Sequence, residues 1–449
     1  MSARPSLFTG SGWSRVVAAA SALALGTGCS LRELGRNIPQ PEIERDYLVA
    51  VAWGAALLVS IMLWPVPQSH KKPLVLVWLA KLGVTLGAML LYEYNYGLDA
   101  YYYYSEPNEP GFRWMGFDLE NGTHNILQLS WLQQQLIPDS YHALKVTCAM
   151  LGLVAIYLFY RALSAWMGRE DLRLFYGLAL FPSILFWSSI LGKDPIALLG
   201  ICLYVLGVVR WYLSGRLRWL VPVALGVLMA MIIRNWMGVI MLAPLSVFVV
   251  ARVRSPVVKL AFLSLVAGGL VYALSGFQSQ FQLESSEDLY LTTHTISRSW
   301  AYGGSSQQID SEFNSLGSML AFLPIGAFTA LFRPLPGEVL NPFGTFAGLE
   351  NLALLVMTFL AVRRTKLREL ADPLVVWAIL FVLIWAAAYG FVSYQNLGSG
   401  VRFRLQVMPF LLVLVGWFSR KRSVARVAAT EESAGADDAA VKAIEGARG

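Results

Sequence analysis

The chain is poor in charge, cysteine and histidine, and each scarcity excludes a class of protein. Charged residues make up 14% of it, where a soluble domain carries about a quarter. With 56% hydrophobic residues and a mean hydropathy of +0.55, a water-soluble globule is excluded and a polytopic membrane protein is expected. Three cysteines, Cys29, Cys148 and Cys202, are too few and too scattered for a disulfide framework. The four histidines, His70, His124, His142 and His294, show no ligand spacing, so zinc chemistry is not expected, nor any other metal or cofactor. The net charge of +7 comes largely from arginines that recur between apolar segments, as beside anionic lipid, and implies no nucleic-acid partner.

What is abundant is apolar sequence in runs. Val16–Leu25 forms a signal-like stretch behind Arg4 and Arg15, too short to cross a hydrocarbon core of about 30 Å at about 1.5 Å per residue. A lipoprotein cleavage site before Cys29 is poorly matched by Gly26, so residues 1–45 are read as a signal-like or interfacial segment. Spans are expected near Leu48–Trp64, Leu74–Tyr92, Leu144–Tyr160, Leu174–Leu191, Ile196–Tyr212, Trp219–Ile233, Met237–Ala251 and Val257–Leu274. After a long polar stretch come Leu349–Val362, Leu374–Tyr394 and Leu405–Phe418. The fold class is therefore all-α and multi-pass, with about eleven transmembrane helices in residues 46–418. The acidic, Ala-rich tail within 419–449 is expected to be disordered and cytoplasmic.

Basic clusters orient these spans. Lys71 and Lys72, Arg169 and Arg173, Arg216 and Arg218, Arg252 and Arg254, Arg363 to Arg368, and Arg420 to Arg422 all fit the cytoplasmic side under one condition. Leu316–Phe332, interrupted by Pro324, must not cross fully, so it is expected to be re-entrant or interfacial at the outer face. Two large outer loops result, 93–143 and 275–348.

The first outer loop carries the leading catalytic candidate. Asp99 follows an apolar span and precedes Tyr101, Tyr102, Tyr103 and Tyr104; partial desolvation there would suit it to general-base work, and the tyrosines would stack on sugar rings. The competing reading is an interfacial aromatic belt with Asp99 as a helix cap. Glu93, Glu106, Glu109 and Asp118 are further carboxylates of this loop. Lys193 beside Asp194 in a tight turn is either a local ion pair or part of a wet cavity. Arg234, Arg402 and Arg404 are cations on the side where the positive-inside rule expects few, and arginine grips phosphate oxygens bidentately. The second loop offers Arg298, Gly303, Gly304 and Ser305 as phosphate or sugar contacts, or as a plain turn. Glu338 is a secondary acid, and Glu350 is expected to pair with Arg333 or Arg404.

Asp99 with its tyrosines, Pro182 to Asp194, Ile233 to Gly238 with Arg234, and Arg402 to Pro409 together resemble the polytopic bacterial glycosyltransferases of the GT-C class, and the related polymerases and ligases of surface polysaccharide assembly. The resemblance spans roughly residues 46–418 through short, degenerate motifs. It implies a protein of the bacterial inner membrane with its active face periplasmic, and a donor sugar or oligosaccharide on a polyprenyl carrier such as undecaprenyl phosphate or pyrophosphate. Asp99 would be the base; Lys193, Arg234, Arg402 and Arg404 would hold the lipid phosphate. Tyr101, Tyr102, Arg298, Gly303, Gly304 and Ser305 would contact sugar or acceptor. The implied partners are membrane lipid, the lipid-linked glycan, the growing exopolysaccharide or O-antigen, and other assembly proteins. Two departures stand out: Asp99 follows the second clear span, and Ala100 replaces the second acid of a frequent pair. A flippase for the same lipid-linked glycan and a non-catalytic complex subunit are the alternatives; long loops on one face and the lack of an internal repeat favour the enzyme.

Overall fold

The computed structural model describes residues 31–97, 99–137, 139–252, 254–281, 306–307 and 315–419. Arg298, Gly303, Gly304, Ser305, Cys29 and the acidic tail lie outside the described residues. Within them the chain is helical, and the one β-type pairing is an isolated bridge between Ser306 and Asn396.

Among the described residues six helices are long and apolar enough to cross a membrane. They are α1 (Ile43–Leu63), α2 (Gln68–Asn95), α5 (Tyr141–Met167), α8 (Lys193–Ser214), α14 (Pro342–Arg364) and α15 (Pro373–Ser393). Between them lie α3 (Ala100–Ser105), α4 (Gly122–Leu136), α6 (Leu172–Ala179), α7 (Pro182–Trp187), α9 (Leu220–Met231), α10 (Met237–Leu242), α11 (Ser246–Arg252), α12 (Pro256–Phe281) and α13 (Leu316–Phe332). The last described elements are α16 (Leu397–Phe403) and α17 (Met408–Ser419), which form the arms of a pair bent by 69° that would make a seventh span if counted as one.

Several expected spans are broken. Leu174–Leu191 divides into α6 and α7, because Pro182 lacks the N–H that would continue the ladder and opens a new helix instead. Met237–Ala251 divides at the 3₁₀ turn Ala243–Leu245, which contains Pro244. Leu316–Phe332 differs in the opposite sense: it is a single helix running through Pro324, its packing against α15 outweighing a penalty of about 3 kcal/mol.

Close approach holds the bundle together. α8 packs along both α5 and α9. At the α8–α9 crossing a Cβ on Gly226 would lie 2.5 Å from the Gly200 carbonyl oxygen, so only glycine lets the two backbones meet. Buried polar groups tie α1, α2 and α5 at one end: Lys145 Nζ donates to Glu93 at 2.7 Å, the Tyr141 hydroxyl donates to the same carboxylate at 2.6 Å, and His142 pairs with Asp46. Glu93 is therefore a buried helical residue, not a loop acid.

Candidate functional site

At that same end the Gly192–Asp194 turn starts α8, the Ile233–Trp236 turn separates α9 from α10, and α16 supplies Arg402. The centre of the assembly is Asp194, fully buried. Arg402 Nε lies 2.5 Å from its Oδ2 and Arg234 Nη2 3.2 Å from its Oδ1. The carboxylate so held is not the partner of Lys193, its neighbour in sequence: successive residues of a helix diverge by about 100°, and Asp194 turns inward while Lys193 turns to a cavity.

That cavity, of about 570 Å³, is lined by Lys193, Arg234 and Trp236 on one side and by Asp118, Glu120 and Asn121 to Thr123 on the other. Lys193 Nζ donates to Thr123 Oγ1 at 2.6 Å. The Arg234 guanidinium sits 4.5 Å over the Phe403 ring, and its Nε is buried with no hydrogen-bond partner among the described residues. Trp236 is fixed by its indole N–H to the Tyr389 hydroxyl at 3.0 Å. The start of α4 is clamped onto the Ile232–Arg234 backbone: Asn125 Nδ2 donates to the Ile232 carbonyl, and a Cβ on Gly122 would stand 2.0 Å from the Ile233 carbonyl oxygen. Lys193, Arg234 and Arg402 against Asp194 and Asp99 leave one net positive charge at the wall, with Asp118 and Glu120 opposite. Among the described residues no three metal-ligating side chains gather.

Asp99 lies beside this cluster, its Oδ2 3.8 Å from Arg402 Nη1, but its side chain is 67% exposed. The desolvation expected from its sequence position is therefore absent; it caps no backbone N–H of α3 either. The tyrosine run does not form an open stacking surface, since four consecutive helical residues point four ways. Tyr101 donates its hydroxyl to the Pro39 carbonyl at 2.6 Å, Tyr103 and Tyr104 are buried, and Tyr102 remains exposed. Burial pushes the Tyr103 hydroxyl up to about 12, and the Asp99 charge adds to the rise, so Tyr103 is a neutral donor beside the cluster. Glu106 opens a short 3₁₀ turn after α3.

Arg404 does not join the site. Fully buried, it donates to the Ala330 carbonyl at 2.9 Å, the Arg333 carbonyl at 2.5 Å and the Asn351 side chain, and so knits α13, α14 and the last helices together. Glu338 pairs instead with Arg333 at 2.8 Å. Glu350 accepts the Ser183 backbone N–H at 2.9 Å; it makes no close ion pair with either arginine expected for it, and Arg404 acts on it only through its nearby charge.

Sequence reasoning passed over Lys81. It is buried inside α2, where its ammonium donates to the Ser188 carbonyl, the Ser188 hydroxyl and the Ser189 hydroxyl at 3.0, 2.6 and 2.9 Å. This anchors from below the turn that leads to Lys193. A lysine inside an apolar run was the signal, because such a charge is costly without local partners. Thr123 and Asn125 carried no comparable signal.

Compared with protein-family models, curated proteins and solved structures, the chain matches none of them.

Proposed function

We propose that this protein transfers a glycan from a polyprenyl phosphate or pyrophosphate to a sugar hydroxyl, at the outer face of the bacterial inner membrane, in exopolysaccharide or O-antigen synthesis. The observation that carries this reading is the cavity where Lys193 and Arg234 meet at the ends of apolar helices, with Arg402 behind them. A cationic wall at the end of membrane-spanning helices suits a phosphate whose carrier stays in lipid. The proposed topology is that of about eleven crossings with the basic loops and C-terminus cytoplasmic.

On this reading the acceptor oxygen attacks the anomeric carbon, the bond from that carbon to the phosphate oxygen breaks, and the lipid phosphate leaves with the bonding electrons. Lys193 and Arg234, which line the cavity, neutralise the charge that grows on that oxygen, and Arg402 adds its charge from behind Asp194, a contribution that is largest when the donors are already in place. Asp99 takes the acceptor proton, a role typically worth about 10² to 10⁴ in rate. Arg404 has no place in the step, since its donors are committed to the fold.

A deletion strain complemented with wild type or Asp99→Asn tests it. Polymer lost in the strain and in the variant, with unpolymerised lipid-linked glycan outside the membrane, is the expected result. Glycan accumulating inside would assign a flippase instead. Polymer made normally by a folded, inserted Asp99→Asn protein would remove Asp99 as base, and normal polymer in the deletion strain would remove the function.

A further inference from the structure

Next to the cavity that holds Lys193 and Arg234 lies a second, almost wholly apolar chamber of about 220 Å³, bordered by α4, α5, α8 and α9. Ile126 and Leu129 form its α4 side, Leu151 and Leu199 its floor, and Met229 and Ile232 its α9 side. We propose that this chamber seats the proximal hydrocarbon of a lipid phosphate whose head group lies on Lys193 and Arg234; the head-group half rests on the reading above.

Gln133 of α4 donates to Thr147 Oγ1 at 2.8 Å, and Trp53 of α1 donates to the same oxygen at 2.9 Å. Thr147 is six residues inside α5, which at about 1.5 Å per residue is about 9 Å below its start. Leu151, which lines the chamber, lies one helical turn further along α5. α4 is therefore tied by its side chains to α5 and does not stand free of the spans, with Leu132 and Leu136 exposed on its outer side. The expected outer loop 93–143 thus contains a helix packed on α5.

Continuity is the second point. Ile232 lines the chamber and the next residue, Ile233, lines the cationic cavity; Gly192 lines the chamber and the next residue, Lys193, lines the cavity. The two compartments thus share their walls, one charged and one apolar. Gly192 keeps the junction narrow, because a Cβ there would stand 3.2 Å from Arg402 Nη2. An occupant that satisfies both must carry an anion and a hydrocarbon chain on adjacent atoms. Free sugar or inorganic phosphate would fill only the first, and a neutral lipid only the second.

Cys148 lines the chamber and Cys202 does not, which provides a reporter and an internal control. Full-length protein in phosphatidylcholine nanodiscs is treated with methyl methanethiosulfonate, and modification of each cysteine is followed by peptide mass spectrometry. The probes are radiolabelled farnesyl phosphate, farnesol and inorganic phosphate. At about ten times its Kd, farnesyl phosphate is expected to slow Cys148 modification about tenfold, leave Cys202 unchanged, and lose affinity in Lys193→Met. Inorganic phosphate is expected to give no protection. If farnesyl phosphate binds in a Lys193-dependent way while Cys148 reacts at its free rate, the chamber assignment falls and the phosphate reading stands. If farnesol protects as well as farnesyl phosphate and Lys193→Met changes nothing, the chamber binds hydrocarbon but the head-group assignment falls. No binding of farnesyl phosphate overturns both.

Discussion

Arg402 Nε reaches across 208 positions of sequence to lie 2.5 Å from Asp194 Oδ2. With Arg234 on the other oxygen, one buried carboxylate neutralises two guanidinium groups from different elements. Asp194→Ala leaves both cations without their anion, and breaking a buried pair from one side costs about 3 to 5 kcal/mol. Thermal unfolding of the purified variant in detergent should fall far below wild type; an unchanged midpoint would show that the pair is dispensable for folding.

Lys193 is a different kind of cation, since its one hydrogen bond is to Thr123 at the rim of the cavity. Lys193→Met should change stability by no more than about 0.5 kcal/mol. It should weaken binding of a lipid phosphate by roughly 10- to 150-fold, the equivalent of about 1.5 to 3 kcal/mol for a hydrogen bond to a charged group. A binding assay with farnesyl phosphate, paired with thermal unfolding, separates the two effects.

Arg404→Lys should show the reverse pattern. A single ammonium cannot reach the Ala330 carbonyl, the Arg333 carbonyl and the Asn351 amide from the geometry of a planar fork. Buried acceptors left unmatched should destabilise the protein by on the order of 2 to 4 kcal/mol. The folded fraction should bind lipid phosphate with wild-type affinity, and a selective loss of affinity at unchanged stability would contradict the structural role.

Gly122→Ala tests the clamp of α4. The added carbon would stand 2.0 Å from the Ile233 carbonyl oxygen, so the helix must move away and loosen the Asn125–Ile232 hydrogen bond. Overpacking of this kind costs about 1 to 3 kcal/mol. Amide hydrogen exchange over residues 118–136 should quicken while that of α14 and α15 stays as in wild type, and uniform exchange rates would show that the clamp is not tight.

The Arg333–Glu338 pair should give a pH dependence confined to acid. Burial raises the Glu338 carboxyl, but hydrogen bonds from Arg333 and the Leu335 N–H outweigh it and hold the group below the usual glutamate range. A depressed carboxyl stabilises the fold above its unfolded value of about 4.3 and loses that contribution as pH falls through the folded value. Wild type should therefore unfold at a higher temperature than Glu338→Gln at pH 7, with the difference closing only in acid below about pH 4.3. A gap that persists at the lowest pH would place the stabilisation elsewhere.

The long spans were legible because hydropathy is a local property: α1, α2, α5, α8, α14 and α15 each contain one of the apolar runs expected from sequence. Their breaks were less so, since Pro182 starts a helix, Pro244 marks a 3₁₀ turn and Pro324 is absorbed within one, and packing decides which occurs. The cations Lys193, Arg234 and Arg402 could be singled out as charges that apolar surroundings tolerate only with partners. Arg404 met the same criterion and proved to be a fold-holding residue.

By itself, then, the sequence determined that the chain is a multi-pass helical protein with cations at the ends of its spans, because composition and charge along a run set its transfer free energy. Only the tertiary structure decided that Asp194 pairs with Arg234 and Arg402 rather than Lys193, that the Asp99 side chain is mostly exposed, and that α4 is tied to α5. Each of these depends on which distant backbones approach closely enough for side chains to meet, and that is a property of packing, not of any one segment.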